Sequence, residues 1–256
     1  MAADAAVETP LADAATLILM REQPGAAPEL LMIRRGAALA FAGNAWVFPG
    51  GRVDPADRAL ARTMAASADA TETAARIAAI RETIEEAGVA IGLVPPPSAT
   101  RLARLREGLA LGESFARLLS AEDCALDLAV LQPFARWVPP ASAARRFDTR
   151  FYLASAPAEA VVRVDGSESV AACWASADAM LARAAAGDAQ VIFPTKCNLR
   201  RLASHASFAE AAAEAARVPV EPVNSFRREI DGVMHLCIDG HGYGSIAEPM
   251  RSMVSG

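Results

Sequence analysis

The sequence is poor in the residues that build zinc sites and disulfide frameworks. It has four cysteines and three histidines among 256 residues, and no two cysteines form a Cys-x-x-Cys pair. The cysteines are Cys124, Cys173, Cys197 and Cys237. Because such widely spaced cysteines suit neither a zinc site nor a disulfide framework, we expect reduced thiols and a cytoplasmic setting.

Banded positive charge and long apolar runs are also missing. The net charge is −5 and the basic residues are scattered, whereas a dedicated nucleic-acid binder needs a concentrated positive surface. The longest early apolar segment, 14–20, has only the length of a strand. We therefore expect neither a nucleic-acid nor a membrane partner. Residues 1–13 carry acids but no arginine, which predicts a disordered tail and not a presequence.

The chain does contain short apolar runs that alternate with alanine-rich helical stretches. The patterns predict strands at 16–20, 29–33, 89–91, 135–138, 146–154 and 170–174. They predict helices at 71–87, 100–111, 113–120, 177–186, 196–203 and 208–216. A terminal hairpin, 223–230 with 233–238, is predicted to turn on Asp231-Gly232. One α/β domain over residues 14–256, with insertions near 54–70 and 95–128, is the simplest account.

The helix predicted over 71–87 carries a cluster of acids. Its apolar stripe consists of Ile77, Ile80, Ile84 and Ala87, which predicts the face that packs on the core. Glu82, Glu85 and Glu86 share roughly the opposite face, where each like-charge pair costs about 0.2–0.5 kcal/mol. Such a cluster is typical either of a solvated helix face or of the oxygen ligands that Mg²⁺ or Mn²⁺ requires.

Two neighbouring features favour the metal interpretation. Arg81 stands one residue before Glu82 and four before Glu85, where its guanidinium can hold a carboxylate in orientation. Upstream, Gly50-Gly51 follows a proline, at a point where the backbone must turn tightly or approach another group closely. A free carbonyl in that loop could add a ligand to a metal held by the helix.

These residues resemble the signature of the Nudix hydrolases, Gly-x5-Glu-x7-Arg-Glu-U-x-Glu-Glu-x-Gly-U, in which U is a bulky aliphatic residue. The positions that match its second half are Arg81, Glu82, Glu85, Glu86, Gly88 and Val89. The first half is interrupted, because Gly51 lies thirty positions before Arg81 and not fourteen, so that sixteen residues are inserted. Counted back from Arg81, the signature's first glutamate falls on Thr73, with Glu72 one place away.

The sequence around the signature resembles one Nudix branch, the longer peroxisomal type of coenzyme A diphosphatase. The segments that carry this resemblance are 30–35, 47–57 and 145–149. A stricter coenzyme A motif fits loosely, because Met32 replaces a threonine and Leu39 stands where a second arginine is expected. The resemblance therefore indicates the class of hydrolase more strongly than it indicates the substrate.

The resemblance implies an α/β/α sandwich with a mixed sheet and helical insertions, and a hydrolase that uses Mg²⁺ or Mn²⁺. The implied catalytic residues are Arg81, Glu82 and Glu85, with Arg81 orienting the glutamates and Glu82 serving as a metal ligand or general base. The implied metal ligands are Glu82, Glu85, Glu86, the Gly50 carbonyl and, from a distant loop, Glu168. Candidates for contacts with substrate phosphates are Arg34, Arg145 and Arg146. Glu168 could instead be a loop charge, and Arg145-Arg146 an exposed basic turn.

Three functions stay open at this point. The leading one is hydrolysis of coenzyme A or an acyl-CoA to 3′,5′-ADP and a phosphopantetheine. The second keeps the chemistry but acts on ADP-ribose, a dinucleotide or a nucleotide sugar. The third is a Nudix-like binding or regulatory module without catalysis. In each case the expected partner is a small-molecule diphosphate, and a homodimer is left open.

Overall fold

The secondary structure is given by a computed structural model that describes residues 10–39, 42–64, 69–140, 145–157 and 159–250. The strands are β1 (Leu11–Arg21), β2 (Glu29–Arg35), β3 (Trp46–Val47), β4 (Gly50–Arg52), β5 (Leu93–Val94), β6 (Ala125–Leu126), β7 (Gln132–Trp137), β8 (Arg146–Ser155), β9 (Ser169–Ser176), β10 (Pro222–Val223), β11 (Phe226–Ile230), β12 (Val233–Asp239) and β13 (Ser245–Pro249). The helices are α1 (Pro55–Met64), α2 (Ala70–Ala87), α3 (Ala99–Ala110), α4 (Phe115–Ala121), α5 (Ala177–Ala186), α6 (Phe193–Leu202) and α7 (Phe208–Arg217), with a 3₁₀ turn at Leu128–Val130.

A mixed eight-stranded sheet forms the centre of the fold. Its order is β10-β7-β8-β1-β2-β3, with β4 also paired to β1 and β9 to β2. Strands β1 and β8 run parallel over ten residue pairs, from Leu11↔Arg146 to Met20↔Ser155, whereas β2, β4 and β9 pair antiparallel with their neighbours. Strand β1 therefore has partners along both edges, and it places the β4 loop beside the helix that follows.

Both faces of this sheet are buried. In β1, Leu17 and Leu19 point into one apolar cluster, while Ile18 and Met20 point into another on the opposite face. Successive side chains of a strand alternate between faces, so a continuous apolar run marks a strand that is covered on both sides. Helices α1–α4 contribute to the first cluster and α5–α7 to the second. The predicted α/β/α sandwich with a mixed sheet is confirmed.

Helix α2 is the central element of the first layer. It begins one residue after Asp69, whose carboxylate accepts from the N–H groups of Thr71 (2.8 Å) and Glu72 (3.4 Å). It ends where Gly88 adopts a left-handed conformation with φ 66°, as a glycine can without steric cost. The predicted apolar stripe is fully buried. The opposite face is enclosed too, so a solvated acidic face is excluded.

Two sequence-based boundaries need correction. The tail predicted for residues 1–13 is wrong for 11–13, because β1 begins at Leu11, and Asp13 forms ion pairs with Arg58 and Arg150. Residues 1–9 lie outside the described ranges. The strand predicted at 89–91 is irregular, because the left-handed residues Gly88 and Gly92 bracket it.

Both predicted insertions add helices to the first layer. The 54–70 segment contains α1, which buries Asp57 and Ala61 against α2, and positions 65–68 lie outside the described residues. The 95–128 segment contains α3 and α4 and is closed at its base by the pairing of β5 with β6. These segments are therefore parts of the layer that carries α2 and not loose surface additions.

The terminal hairpin agrees with the sequence prediction. The terminal hairpin turns on Asp231-Gly232, both with positive φ, and a third strand, β13, joins it. All four cysteines are free thiols. Across the described ranges, none of the helices combines the length and apolarity needed to span a bilayer.

The burial of β1 leads to a stability prediction. Leu17 is completely buried and Leu11, in the same strand, is 44% exposed. We expect Leu17→Ala to lower the free energy of unfolding by about 2–5 kcal/mol, because it removes buried methylenes and leaves a cavity. Leu11→Ala should change it by no more than about 0.5 kcal/mol. Urea denaturation of the two variants measures the difference, and equal midpoints would contradict this account of the core.

Candidate active site

The carboxyl-terminal half of α2 brings three glutamates beside the β4 loop. Glu86 is 4% exposed, and one of its oxygens accepts a hydrogen bond of 2.8 Å from the Gly50 N–H. The side chains of Glu82 and Glu85 are 14% and 31% exposed. The predicted cluster and the predicted loop glycine are thus brought together, although the Gly50 contact shown involves its N–H and not its carbonyl.

Arg81 is the hub of the cluster. Its Nε and Nη2 donate to the two oxygens of Asp57 at 3.0 and 2.9 Å. Its Nη1 donates to Glu82 at 2.9 Å and to Glu85 at 3.1 Å, and Nη2 also donates to the Arg52 carbonyl at 2.9 Å. One buried guanidinium therefore fixes two of the three cluster glutamates and ties them to the β4 loop.

Asp57 is a site residue that sequence reasoning missed. It is 1% exposed, and it holds Arg81 with both oxygens. Five residues separate it from Gly51, which is the spacing of glycine and glutamate in the Nudix signature. The insertion thus follows the signature's first acid. Counting back from Arg81 hid this match, whereas counting forward from Gly51 would have found it.

The positions first aligned with that acid lie elsewhere. Thr73 is buried in α2. Glu72 pairs with Arg76 at 2.9 Å and approaches Arg150 at 3.5 Å. Neither residue contacts the glutamate cluster in the described interactions, so the assignment of the first acid to Thr73 or Glu72 is corrected to Asp57.

Glycine is required at positions 50 and 51 because other groups lie very close to the backbone there. A Cβ at Gly51 would lie 2.4 Å from the carboxyl carbon of Glu82, and a Cβ at Gly50 would lie 2.4 Å from the Ala15 carbonyl oxygen. Both distances are shorter than non-bonded contacts allow. The prediction that the backbone approaches another group closely here is confirmed, and the absent side chains make room for the Glu82 carboxylate.

Burial makes the cluster electrostatically unusual. Desolvation raises the pKa of Glu82 to about 7 although Arg81 opposes the shift, and desolvation with the charge of Glu82 raises the pKa of Glu86 to about 8. The pKa of Glu85 is also raised by burial. Burial opposes the charged form of Arg81, but the Asp57 hydrogen bond and the nearby carboxylates outweigh it and raise its pKa. Carboxylates held like this stay ionised at neutral pH only with additional positive charge.

The donor set fits a divalent cation that is bound by few protein ligands. All the cluster donors are carboxylate oxygens, the ligands that Mg²⁺ and Mn²⁺ prefer. In the part of the chain that the structure describes, no three acidic, thiol or imidazole side chains converge as a finished cage. A cation that keeps waters and takes its remaining ligands from substrate phosphates needs no such cage.

Two cavities have residues of the cluster in their walls. The first, which we call the aromatic cavity, has a volume of about 620 Å³ and is lined by Phe48, Trp137, Phe147, Phe151 and Phe193 and by Arg35, Arg52, Arg81 and Arg145. The second, which we call the aliphatic cavity, has a volume of about 930 Å³ and lies between the end of α2, helix α3 and residues 157–168. Glu82, Glu85 and Glu168 line both.

The structure brings some of the remaining predicted residues to the site. Glu168 lies at the junction of the cavities, close enough to raise the pKa of Glu86. Its loop is fixed by Asp165, whose carboxylate accepts from the N–H groups of Ser167 and Glu168, each at 2.7 Å. Arg145 lines the aromatic cavity.

Arg34 and Arg146 are not brought to the site. Arg35 lines the aromatic cavity, and its neighbour Arg34 is exposed and lines neither cavity. Along β8, Phe147 and Thr149 line the same cavity, and Arg146 is out of phase with them. Side-chain alternation along β2 and β8 therefore separates these pairs, and Arg35 is the second residue that sequence reasoning missed.

The buried ion pair leads to a second stability prediction. We expect Asp57→Asn to lower the free energy of unfolding by about 3 kcal/mol, because it removes one partner of a buried charge pair. The lower end of the usual range applies, since Glu82 and Glu85 still contact Arg81. The exposed Asp188→Asn is the matched control, with an expected change within about 0.5 kcal/mol. Thermal and urea denaturation measure both, and equal stability of the two variants would refute the anchoring role of Asp57.

Comparisons with known proteins agree with this geometry. A family model for the NUDT19 Nudix domain matches residues 59–202. The chain is 31% identical over 176 residues to nudix hydrolase 7 of Caenorhabditis elegans and 27% identical to the human acyl-coenzyme A diphosphatase NUDT19. These alignments cover 68% and 74% of this chain but 55% and 64% of the relatives, so the chain spans less than two thirds of their length.

A solved structure shows the same fold. The Nudix hydrolase of Alicyclobacillus acidocaldarius superimposes with a TM-score of 0.70 at 30% identity, over 80% of this chain and 96% of that one. The family match covers more than half of the 256 residues, and it includes Arg81, Glu82, Glu85 and Glu86 but begins after Asp57. The chain therefore belongs to the Nudix hydrolases, enzymes of the pyrophosphohydrolase type, and resembles their NUDT19 branch.

Proposed function

We propose that the protein is a Mg²⁺- or Mn²⁺-dependent hydrolase of coenzyme A or acyl-CoA that releases 3′,5′-ADP and a phosphopantetheine. The observation that carries this proposal is the Arg81-anchored carboxylate cluster, which stands where an arginine-lined cavity meets an aliphatic one. The description of the human relative as an acyl-coenzyme A diphosphatase supports the choice of substrate.

The reaction inserts one water molecule into a phosphoanhydride. The water oxygen forms a bond to one phosphorus, the bridging P–O bond breaks, and two phosphate monoesters leave with the water protons shared between them and the solvent. A bound divalent cation would supply the positive charge that the crowded phosphate oxygens need and would make water more acidic. Positioning of the reactants provides most of the remaining acceleration.

The residues of the cluster would have different roles in the reaction. Glu85 and Glu86 would hold the cation, with the Gly50 carbonyl and Glu168 as further ligands. Glu82 would be either a ligand or the base that takes the proton of water, and its raised pKa of about 7 suits that exchange. Arg81 would keep its two glutamates oriented through the hydrogen bonds described above. Arginines of the aromatic cavity, Arg35, Arg52 and Arg145, would meet the substrate phosphates.

Two other functions use the same cluster. Hydrolysis of ADP-ribose, a dinucleotide or a nucleotide sugar needs the same metal chemistry with a different leaving group. A binding or regulatory module would keep the fold and the metal without turnover. The three glutamates of the cluster, Glu82, Glu85 and Glu86, are all present, and burial raises the pKa of each. Both features favour an enzyme over such a module.

The compartment and the oligomeric state stay predictions of the sequence. Four free thiols support a reducing compartment such as the cytoplasm. A homodimer would be tested by the mass of the protein in solution.

A substrate panel tests the proposed function. Purified protein with Mg²⁺ or Mn²⁺ should hydrolyse CoA or acyl-CoA with a higher kcat/KM than ADP-ribose, NADH and nucleotide sugars, and chelation should abolish the activity. Chromatography of the products identifies 3′,5′-ADP and the phosphopantetheine. Preference for ADP-ribose would favour the second function, and metal binding without any turnover would favour the module.

A glutamate substitution tests the cluster itself. Glu86→Gln keeps the shape of the side chain but removes the charge that a cation requires, so we expect kcat/KM to fall by about 10²-fold or more. The matched control is Glu221→Gln, whose side chain is 70% exposed and remote from the cluster. Steady-state kinetics at saturating metal compares the two. Undiminished activity of Glu86→Gln would show that the metal assignment is wrong.

A further inference from the structure

We infer that the two cavities divide the substrate, with the nucleotide half in the aromatic cavity and a long aliphatic arm in the aliphatic cavity. The inference rests on the proposed function and deepens it, because it names the kind of molecule on each side of the scissile diphosphate. The junction of the cavities is formed by Glu82, Glu85 and Glu168. A diphosphate seated there must send its two substituents in different directions.

The aromatic cavity has the chemistry of a nucleotide site. Five of the chain's fourteen aromatic side chains line it, a strong enrichment in a protein with so few of them. A nucleobase presents a flat π face that stacks on such rings. Four arginines line the same cavity, and their planar forks suit the additional phosphates of a nucleotide. Base and phosphate recognition are thus combined on this side of the cluster.

The aliphatic cavity differs from the aromatic one in having no aromatic side chain among its described lining residues. Its apolar walls are built from Val89, Ala90, Pro96, Pro97, Ala99, Leu102, Ala103, Leu109, Ala110, Pro157, Ala160, Val161 and Val164, and its charged and polar lining residues are Glu82, Glu85, Glu86, Arg106, Glu107, Glu159, Arg163, Asp165, Ser167 and Glu168. Its volume of about 930 Å³ is at the upper end of ordinary ligand pockets. Small and branched apolar walls without flat rings suit a flexible hydrocarbon chain better than a second base.

A buried nitrogen points to a ligand near the mouth of the aliphatic cavity. Arg106, on α3, donates from Nε to the Glu85 carbonyl at 3.0 Å. Its Nη2 is buried and has no hydrogen-bond acceptor within the described residues. A buried guanidinium nitrogen without an acceptor is costly, and an amide carbonyl or phosphate oxygen of a substrate would satisfy it. This places polar recognition next to the cluster and apolar contacts beyond it.

The order of these groups selects a substrate class. Starting from the aromatic cavity, a matching ligand has a base and phosphates, then the diphosphate at the glutamates, then a polar link, then hydrocarbon. An acyl-CoA has this sequence of groups. A dinucleotide has a second flat base, and a nucleotide sugar has a ring of hydroxyls, in place of the hydrocarbon.

One substitution in each cavity separates the two halves. Ala103 is exposed on α3 and lines only the aliphatic cavity, so Ala103→Trp fills that cavity with little risk to folding. Phe147→Ala removes a ring from the aromatic cavity. Ala213→Trp, at an exposed position of α7 that lines neither cavity, is the matched control. The holoenzyme is assayed with acetyl-CoA and decanoyl-CoA, and binding of 3′,5′-ADP is measured by calorimetry.

We expect Ala103→Trp to raise the ratio of KM for decanoyl-CoA to KM for acetyl-CoA at least about tenfold, the scale of one well-packed methylene. Phe147→Ala should leave that ratio near the wild-type value and weaken 3′,5′-ADP binding by at least about fivefold, the lower end of base stacking. The control should change neither quantity. If Ala103→Trp does not fold, Val161→Trp, at a 66% exposed position of the same cavity, replaces it.

The outcomes separate this inference from the proposed function. If the wild type cleaves the diphosphate of both acyl-CoA compounds but the KM ratio is unchanged in both cavity-filling variants, the division of the substrate between the cavities is wrong and the proposed function stands. If the wild type cleaves the diphosphate of CoA but of neither acyl-CoA, the inference is wrong and the proposed function stands. If it cleaves the diphosphate of none of the three, the proposed function falls and the inference falls with it. A tenfold rise in the KM ratio for Ala103→Trp, together with an unchanged ratio and weaker 3′,5′-ADP binding for Phe147→Ala, supports both the inference and the proposed function.

Discussion

Arg81 holds Glu82 and Glu85, two of three glutamates that lie close together in a largely buried part of the protein, and the Gly50 N–H holds the third, Glu86. The five hydrogen bonds of Arg81 reach Asp57, these two glutamates and the Arg52 carbonyl. The guanidinium cannot lose its proton under ordinary conditions and its donors have a fixed planar arrangement. Helix α2, helix α1 and the β4 loop must therefore keep their relative positions for these bonds to survive.

The sequence predicted much of this because regular patterns carry most of the information. The apolar runs of β1 and β2 and the stripe on α2 predicted an α/β domain, the resemblance to the Nudix hydrolases implied the sandwich, and the spacing of the glutamates identified the cluster. The failures have a common physical cause, since they depend on contacts between distant segments. Asp57 gains its role only when α1 packs on α2. Arg35 and not Arg34 faces the cavity because of the phase of β2, which no spacing rule along the signature reports.

The two insertions show how a fixed site can acquire a new environment. The first insertion follows Asp57, so Gly51, Asp57 and the Arg81 cluster keep the relation that the family signature describes even though their separation along the chain has grown. The second insertion, with α3 and α4, is tied at its base by β5 and β6 and supplies much of the wall of the aliphatic cavity. Insertions that enter and leave at neighbouring points need not disturb the core they extend. The carboxylate cluster and much of the wall of the aliphatic cavity are thus built by different segments of one layer.

The charge of the cluster links the cation to the substrate. Asp57, Glu82, Glu85 and Glu86 together exceed the charge of Arg81 by three units when all are ionised. Burial is the main cause of the raised pKa values of Glu82 and Glu86, and a neighbouring glutamate adds to each shift. An anionic diphosphate would be repelled by such a surface. A divalent cation offsets two of the three charges, and the arginines of the aromatic cavity then outnumber the excess that remains. In the proposed reaction the cation would therefore bind before, or together with, the diphosphate, because it would offset the negative charge that repels the substrate.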